Sequence, residues 1–327
     1  MKALVYEAPH DVRVEDIPLP QIKKGEALVK VAYAGICGSD LMISAGKHPR
    51  ARPPLVLGHE FCGEVVDVFD EGNKGWIGKR VAVEPLLTCG KCRPCLEGNY
   101  HVCEKLGFLG IDAPGGMAEY VAVPVERLYD VGDLSFEDAA IVEPLAVAVH
   151  AVRRSGIKVG ETAIVFGGGA IGGLLAQVLV IAGASKVIIS EVSSYRRGYL
   201  KRLPVEVVSP EEEPFRENMV DVTFEAAGVP DTVDQALAST RVRGTMVQVG
   251  LPKAPVPSNL VKLAFKEITW VGCRVYNRWD YLASIELLRE GKINKDALIT
   301  HILPLEDGPK GLKMLTEGVG IKVLLKP

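Results

Sequence analysis

The sequence predicts an α/β protein with a β-rich domain and a second domain built on a doubly wound parallel sheet. The first third of the chain has short alternating strand patterns broken by Gly and Pro, such as residues 27–34 (ALVKVAYA) and 63–68 (GEVVDV). From about Val159 the pattern changes to continuous apolar runs, such as 163–166 and 187–190, separated by helical or loop segments. Apolar strands joined by crossovers are typical of a parallel sheet covered on both faces.

Other segments extend these two patterns. Residues 81–83 and 120–123 resemble the N-terminal strands, and the apolar runs 220–224, 245–249 and 268–272 add strands to the parallel sheet. After Tyr276 two helical patterns and two strands predict a return to the first domain; these segments are 280–290, 297–304, 305–316 and 321–325. The predicted boundaries are 1–148 with 276–327 for the first domain and 149–275 for the second.

The composition argues against several classes of function. A chain of 327 residues with 48% hydrophobic and 24% charged residues is ordinary for a two-domain globular protein. The net charge of −3 provides no electrostatic attraction for nucleic acid. Residues 163–185 carry no charge, but glycines and Gln177 interrupt them, so a strand, a turn and a buried helix explain them better than a membrane span. We expect a cytoplasmic protein without membrane or nucleic-acid partners.

The most distinctive motif is a cluster of four cysteines within fifteen residues, at Cys89, Cys92, Cys95 and Cys103. Two-residue gaps turn successive sulfurs inward on one loop, and the seven-residue gap returns the fourth. Four thiolates at this spacing predict a tetrahedral zinc site that is structural, because no coordination position stays open. The alternatives are disulfides and unrelated buried thiols, and disulfides are disfavoured because disulfide scaffolds belong to small secreted chains.

A second motif, residues 167–172 (GGGAIG), fits the pattern G-x-G-x-x-G between an apolar strand and a helix. In this context the glycines let the backbone approach a pyrophosphate at the helix N-terminus. The next strand ends at Glu191, whose carboxylate can accept hydrogen bonds from an adenosine ribose and would repel a 2′-phosphate. NAD is therefore favoured over NADP, although Arg196 and Arg197 follow closely enough to offset the repulsion. The alternatives are a turn without a ligand and, for Glu191, a solvated carboxylate.

Three further motifs contain residue types that bind metals: CGSD at 37–40, GHE at 58–60 and EP at 143–144. Spacing alone does not pair Cys37 with His59. A single cysteine is more often an inert buried thiol, and a single histidine is usually not a ligand.

In this order, CGSD, GHE, the four-cysteine loop, EPL and the glycine motif resemble the zinc-containing medium-chain alcohol dehydrogenases along essentially the whole chain. The resemblance is closest to the polyol branch of sorbitol, butanediol and threonine dehydrogenases, because of Glu143 in VEPLAVAVHA and of Arg274, Asn277 and Trp279 in CRVYNRW. It implies a GroES-like catalytic domain and a Rossmann domain. It also implies two zinc ions per subunit, a homodimer or homotetramer, and hydride transfer between NAD(H) and a polyol, sugar-derived or other secondary alcohol or ketone.

The resemblance implies roles for individual residues. Cys37, His59 and Glu143 would bind the catalytic zinc, which as a Lewis acid lowers the pKa of a substrate hydroxyl. Glu60 would be a fourth, exchanging ligand or a near neighbour with a catalytic role. Asp40 would accept a hydrogen bond from the other ring N–H of His59, or would act only as a local cap.

Further roles concern substrate and cofactor. Ser39 would hydrogen-bond the substrate hydroxyl and pass on its proton. Arg274 would line the nicotinamide and substrate end, or would form a salt bridge at the domain interface. The implied cofactor-binding residues are Gly167, Gly169, Ile171, Gly172, Glu191, Arg196, Gly250 and Arg274.

The chain departs from the family pattern at three places, one of which is Tyr276, one position later than the aromatic residue that follows the arginine in sorbitol-type enzymes. Many members have a proton-relaying histidine five residues after the first cysteine ligand, where this chain has Met42, which cannot relay protons. The stretch from Glu191 to Asp221 is also shorter than usual, so we expect one helix or strand of the cofactor domain to be trimmed.

Residues 46–52 (GKHPRAR) carry three fixed positive charges and a histidine between two catalytic motifs. One hypothesis is an anionic polyhydroxylated substrate such as a sugar acid, and the alternative is a solvated or subunit-contact loop. Two other functions compete with that of a polyol dehydrogenase. A regulatory zinc protein without turnover and a zinc-free quinone-reductase relative are both disfavoured by the joint presence of Cys37, His59 and Glu143.

Overall fold

The fold is described here from a computed structural model that covers residues 1–212, 215–252 and 254–327. The chain divides into two compact units. The first comprises Met1–Glu143, Asn277–Glu290 and Ile299–Pro327, and the second comprises Pro144–Tyr276 and Gly291–Leu298. Within the described ranges, the helices are all too short or too polar to cross a membrane.

Eighteen strands and ten α-helices make up the regular structure of the described residues. The strands are β1 (Lys2–Ala8), β2 (Asp11–Asp16), β3 (Glu26–Gly35), β4 (Leu55–Val56), β5 (Glu60–Val68), β6 (Arg80–Val83), β7 (Leu86–Leu87), β8 (Gly107–Phe108), β9 (Tyr120–Pro124), β10 (Leu128–Asp130), β11 (Thr162–Phe166), β12 (Lys186–Ser190), β13 (Glu206–Val208), β14 (Val220–Glu225), β15 (Thr240–Gln248), β16 (Thr269–Gly272), β17 (Ile299–Pro304) and β18 (Lys322–Lys326). The helices are α1 (Gly38–Ser44), α2 (Arg93–Leu96), α3 (Phe136–Ala139), α4 (Val142–Ser155), α5 (Ala170–Ile181), α6 (Ser194–Leu200), α7 (Pro230–Ser239), α8 (Leu260–Phe265), α9 (Arg278–Arg289) and α10 (Gly308–Thr316).

The first unit is built on a seven-stranded sheet of order β10-β6-β5-β3-β18-β17, with β9 also paired to β3. Its strands pair antiparallel except for β17 and β18. A three-stranded sheet, β2-β1-β4, belongs to the same unit. The central position of β3 matters for function, because its neighbours β5 and β18 bring residues from opposite ends of the chain to one place.

The second unit is a six-stranded parallel sheet of order β13-β12-β11-β14-β15-β16. This order reverses direction next to β11, and the cleft at such a switch point is where doubly wound folds bind ligands. Helix α5 follows β11 directly, and most of its residues are buried, including Leu174, Leu175 and Leu179. The charge-free stretch 163–185 is therefore a strand and a buried helix, as predicted.

The stretch in which the sequence predicts trimming includes the connection between β13 and β14. Among its described residues 209–212 and 215–219, none is helical. The strand β13 itself is only three residues long.

The residue ranges of the two compact units differ from the predicted domain ranges at two places. The second unit begins at Pro144 rather than at residue 149, because helix α4 starts with Val142 and continues through the predicted boundary without interruption. The second unit also includes Gly291–Leu298, which the prediction assigned to the first domain. The side chain of Gln177 on α5 connects this segment to the second unit, because its amide oxygen accepts a hydrogen bond from the backbone N–H of Asn294 (2.6 Å).

Candidate active site

The fold brings Cys37, His59 and Glu60 together in the first unit. Cys37 precedes helix α1, and His59 immediately precedes β5, which begins with Glu60, so pairing of β3 with β5 brings the two motifs together. One ligand atom from each residue lies within 4.8 Å of the others. A thiolate, an imidazole and a carboxylate at these distances form a donor set suited to Zn²⁺.

The charge around His59 fits a bound cation. Burial disfavours the imidazolium, yet the negative charges of Cys37, Asp40 and Glu143 raise the pKa of His59 well above its ordinary value. Such a concentration of negative charge around a buried imidazole is stabilised by a positive charge, which a divalent metal supplies more effectively than a proton.

Asp40 and Ser39 occupy the positions expected for supporting groups. Asp40 is fully buried, and one carboxylate oxygen accepts the backbone N–H of Cys37 (2.8 Å). Its other oxygen, Oδ1, lies 3.8 Å from His59 Nδ1, and within the described part of the chain neither atom has a hydrogen-bond partner. The Oγ of Ser39 lies 3.4 Å from His59 Nε2. Asp40 is thus a local cap, and its Oδ1 lies near the Nδ1 atom of His59.

Glu143 lies close to this cluster but outside its tightest group. It is buried near the start of α4, and its charge contributes to the raised pKa of both His59 and Lys322. In this cluster, among the residues described, the ligand atoms that all lie within 4.8 Å of one another come from Cys37, His59 and Glu60. Glu60 therefore belongs to the tightest group, whereas the resemblance implies Glu143 as the third ligand.

Lys322 completes the cluster, and the sequence reasoning missed it. Its ammonium group is buried, forms an ion pair with the carboxylate of Glu60 and donates to the backbone carbonyl of Ile36 (3.1 Å). Burial lowers the pKa of Lys322, but Glu60 and Cys37 outweigh it and raise the pKa above the ordinary value. A lysine inside the apolar run IKVLL was the available signal, because a strand interior rarely buries a lysine without a partner.

The four cysteines of the second motif also converge. One sulfur from each of Cys89, Cys92, Cys95 and Cys103 lies within 4.8 Å of the others. The Sγ atoms of Cys92 and Cys95 are 3.4 Å apart, too far for a disulfide bond, and all four cysteines are free. Backbone N–H groups of Lys91 and Cys92 lower the pKa of Cys89 to about 6, which favours the thiolate that zinc requires.

A buried polar cluster supports the cysteine loop. The carboxylate of Glu84 accepts hydrogen bonds from Tyr100 (2.8 Å), Tyr129 (3.0 Å) and Arg127 (3.1 Å). Arg127 also donates to Thr88 (2.8 Å), the residue immediately before Cys89, and Tyr100 lies between the third and fourth cysteines. The cluster thus connects two parts of the cysteine loop, Thr88 at its start and Tyr100 before its last cysteine, to Glu84, which follows strand β6.

In the second unit, the glycine motif forms a tight turn between β11 and α5. Gly167 has φ of 102°, which only glycine adopts readily, and a Cβ at Gly172 would collide with the carbonyl oxygen of Gly167. Gly169, at the N-cap of α5, faces open space, with no atom within 4 Å of its would-be Cβ. Ile171 is half-buried in the first turn. Two glycines therefore shape the turn, and Gly169 leaves room for a phosphate at the helix N-terminus.

Glu191 braces this turn. Its carboxylate accepts the backbone N–H groups of Gly168 and Ser193, both at 2.7 Å, and is buried. The guanidinium group of Arg196 lies 3.8 Å from the same carboxylate, whereas Arg197 donates to the backbone carbonyl of Glu191 (2.9 Å). Glu191 is therefore an organised, buried carboxylate next to the glycine motif, and the alternative of a solvated side chain is wrong.

A second buried carboxylate, Glu225, organises the neighbouring turns and was not predicted. It accepts the backbone N–H groups of Ala227 (2.9 Å) and Gly228 (2.8 Å) and the side-chain amide of Gln248 (2.5 Å). A Cβ at Gly250 would lie 2.5 Å from the backbone nitrogen of Gly228, so the two turns touch each other. Gly250 thus serves close packing of backbone segments at the carboxyl ends of β14 and β15.

The structure gives the positions of the three residues Arg274, Asn277 and Trp279, which resemble those of sorbitol-type enzymes. Arg274 is exposed after β16. Asn277 is the N-cap of α9, with its side chain accepting the backbone N–H groups of Trp279 (2.8 Å) and Asp280 (3.2 Å). Trp279 is 70% exposed, so these residues give no separate support for a sorbitol pocket.

The basic loop 46–52 is more constrained than its sequence indicates. Arg50 forms a salt bridge with Asp112 (3.3 Å), donates to the carbonyl of Leu106 (2.5 Å) and lies over the ring of Phe108. Arg52 is exposed and donates to carbonyls of its own loop. Asp112 compensates the charge of Arg50, which therefore stabilises the loop rather than offering a free cation.

Comparison with known proteins is consistent with both units. Residues 23–133 match the family model described as the alcohol dehydrogenase GroES-like domain, and residues 170–290 match the one described as zinc-binding dehydrogenase. D-xylulose reductase A of Aspergillus niger is 32% identical, over 99% of this chain and 96% of the relative. The 2-dehydro-3-deoxy-L-galactonate 5-dehydrogenase of Pseudoalteromonas atlantica is 35% identical, over 90% of this chain and 92% of the relative.

A solved structure extends the similarity to three dimensions. A protein of Sinorhizobium meliloti 1021 bound to NADP superposes with a TM-score of 0.92 at 31% identity, covering 100% of this chain and 99% of that one. The two family models, the full-length relatives and the two clusters of metal-ligating residues agree with one another. The chain therefore belongs to the zinc-containing medium-chain dehydrogenases, and the predicted GroES-like and Rossmann fold class is confirmed.

Proposed function

We propose that this protein is a zinc-dependent dehydrogenase that transfers a hydride between NAD(H) and a secondary hydroxyl group of a polyol or sugar-derived substrate. The observation that carries the proposal is the convergence of Cys37, His59 and Glu60 within 4.8 Å, with Ser39 against the imidazole. A structural zinc alone requires none of these residues. Their retention disfavours the alternative of a regulatory protein without turnover.

Each residue near the metal site has a separate role in the proposed reaction. Zinc, when bound, supplies a Lewis acid that makes a hydroxyl group easier to deprotonate. Ser39 would hydrogen-bond the substrate hydroxyl and take part in moving its proton, and Asp40 would orient His59; the distances of both side chains to the imidazole support these roles. Met42 on α1 cannot continue a proton path, so we assign that path to Ser39 and water.

Glu191 makes NAD the favoured cofactor. Its buried carboxylate lies beside the glycine motif, where it would repel a 2′-phosphate. Arg196 offsets part of that charge, and a relative of this chain binds NADP. We expect NAD to be preferred, and the ratio of kcat/KM for NAD and NADP to measure how completely Arg196 compensates.

A neutral polyol is the first candidate for the substrate, and a sugar acid is the second. The xylulose reductase supports the former, and the galactonate dehydrogenase supports the latter. Because Asp112 neutralises Arg50, only the exposed Arg52 and Lys47 of the basic loop remain to attract an anion. Replacing Arg52 with Gln would raise KM for a sugar acid and leave KM for a polyol unchanged; equal effects on both would refute an anion-binding role.

The experiment that tests the function is a screen of polyols, diols and sugar acids with NAD or NADP, following absorbance of the reduced cofactor. Cys37→Ser is the inactive control, and Cys62→Ser, a buried thiol outside both metal clusters, is the matched active one. Absence of turnover by a zinc-loaded protein on every substrate would support the non-catalytic alternative. We expect a homodimer or homotetramer, which light scattering would identify, and a cytoplasmic location suited to reduced thiols.

A further inference from the structure

We propose that Lys322 is a positioning residue that competes with the catalytic metal for Glu60 and so keeps a coordination position open for substrate. The inference rests on the proposed function, because it concerns the zinc site formed around Cys37 and His59. It assigns a role to a lysine on the last strand of the chain, 262 residues from its carboxylate partner.

The contacts of Lys322 place it between the two ligand-bearing segments. Its ammonium group bonds to the carboxylate of Glu60, which directly follows His59 in the sequence. It also donates to the carbonyl of Ile36, which directly precedes Cys37. One buried cation thus connects the backbone that carries the thiolate with the segment that carries the imidazole.

The sheet is built to hold this ion pair. Strands β5, β3 and β18 are adjacent, and Gly35 on β3 pairs with Glu60 on one side and with Leu324 on the other. A Cβ at Gly35 would collide with the carboxylate of Glu60 and would lie 3.5 Å from Cδ of Lys322. Glycine at this position therefore provides the space in which the two side chains meet.

The electrostatics explain why the pair affects the metal. The side chains of Lys322 and Glu60 are only 3% and 2% exposed, so water solvates and screens neither charge effectively. A buried carboxylate needs a positive partner, and Glu60 has two within reach, the ammonium group and a metal bound by Cys37 and His59. With Lys322 present, Glu60 is shared between them. Without it, the metal is the only cation left, and we infer that Glu60 binds it permanently.

The test compares Lys322→Met with the wild-type full-length protein. Zinc affinity of the catalytic site is measured by competition with a chelator, and the site is also loaded with Co²⁺ to record its absorption spectrum, which reports the ligand set. We expect Lys322→Met to hold zinc at least tenfold more tightly, to change the Co²⁺ spectrum and to lose at least 100-fold in kcat. Lys326→Met, an exposed lysine on the same strand, should behave as wild type.

Two further variants keep the test decisive if Lys322→Met folds poorly. Lys322→Arg retains the cation and should keep zinc affinity within threefold of wild type. The double variant Lys322→Met with Glu60→Gln removes both charges and should return zinc affinity to within threefold of wild type. A Lys322→Met protein with unchanged or weakened zinc affinity, or a double variant that still binds zinc tenfold more tightly, would overturn the inference. If wild type itself binds only one zinc per chain, the proposed function fails instead.

Discussion

A pair of glycine substitutions in the cofactor turn separates folding from binding. Gly169 and Gly172 lie three residues apart on the same turn, and both would gain one methyl group on replacement by Ala. At Gly169 that methyl group meets no atom within 4 Å, and φ is −71°, which suits Ala. At Gly172 it meets the carbonyl group of Gly167, with the carbonyl carbon at 3.0 Å, and backbone atoms on both sides must shift.

The two variants differ in their expected magnitudes. Overpacking of this kind costs about 3 kcal/mol at its upper range. The higher helix propensity of Ala offsets about 1 kcal/mol of this destabilisation. Gly172→Ala should therefore lose roughly 2 kcal/mol, or about 4 to 8 °C in the melting temperature of the second unit. Gly169→Ala should lose only about 0.5 kcal/mol as an altered N-cap.

Gly169→Ala, which should change stability only slightly, should have a large effect on cofactor affinity. If the open space before its N–H group holds the pyrophosphate, a methyl group there removes at least one charge-assisted hydrogen bond, about 1.5 to 3 kcal/mol. The dissociation constant for NADH should then rise about 10- to 100-fold. Circular dichroism during heating and titration of NADH fluorescence measure the two effects. A Gly169→Ala protein that binds NADH like wild type would refute the placement of the pyrophosphate.

Three other substitutions test the supporting interactions. Arg127→Met removes the cationic partner of the buried Glu84 carboxylate and should lower the free energy of unfolding in urea by about 3 to 5 kcal/mol. The control, Arg13→Met at an exposed site, should change it by less than about 0.5 kcal/mol. Equal effects would contradict the buried pair. Burial raises the pKa of Asp221, but hydrogen bonds lower it below its ordinary value, so its contribution to stability is present at neutral pH and is lost as pH falls below about 4. Asp221→Asn should therefore show a smaller stability difference between neutral and acidic pH than wild type, and an unchanged difference would count against this assignment. Cys92→Ser should lower the zinc content by one ion per chain by mass spectrometry, while Cys62→Ser should not; retention of both ions by Cys92→Ser would exclude a four-sulfur site.

The sequence predicts best those features whose partners are close along the chain. The four cysteines and the glycine turn each lie within fifteen residues, so spacing alone limits what they can form. The parallel sheet was predictable for a similar reason, because buried strands such as β11 and β12 are continuous apolar runs.

Features with distant partners could not be predicted in the same way. Lys322 meets Glu60 across 262 residues, and only the adjacency of β5, β3 and β18 brings them together. Arg127 and Glu84 are 43 residues apart and look like ordinary surface charges in the sequence. The predicted boundary at residue 149 falls within α4, because a helix that continues past a boundary leaves no break in the sequence pattern.

The proposed function requires one metal ion held by Cys37 and His59. Crystals of the zinc-loaded protein, measured on both sides of the zinc absorption edge, would locate each zinc by anomalous scattering. We predict two peaks per chain, one among the four cysteine sulfurs and one about 2.3 Å from Cys37 Sγ and about 2.1 Å from a ring nitrogen of His59. A single peak at the cysteine loop, with none beside Cys37, would contradict the account.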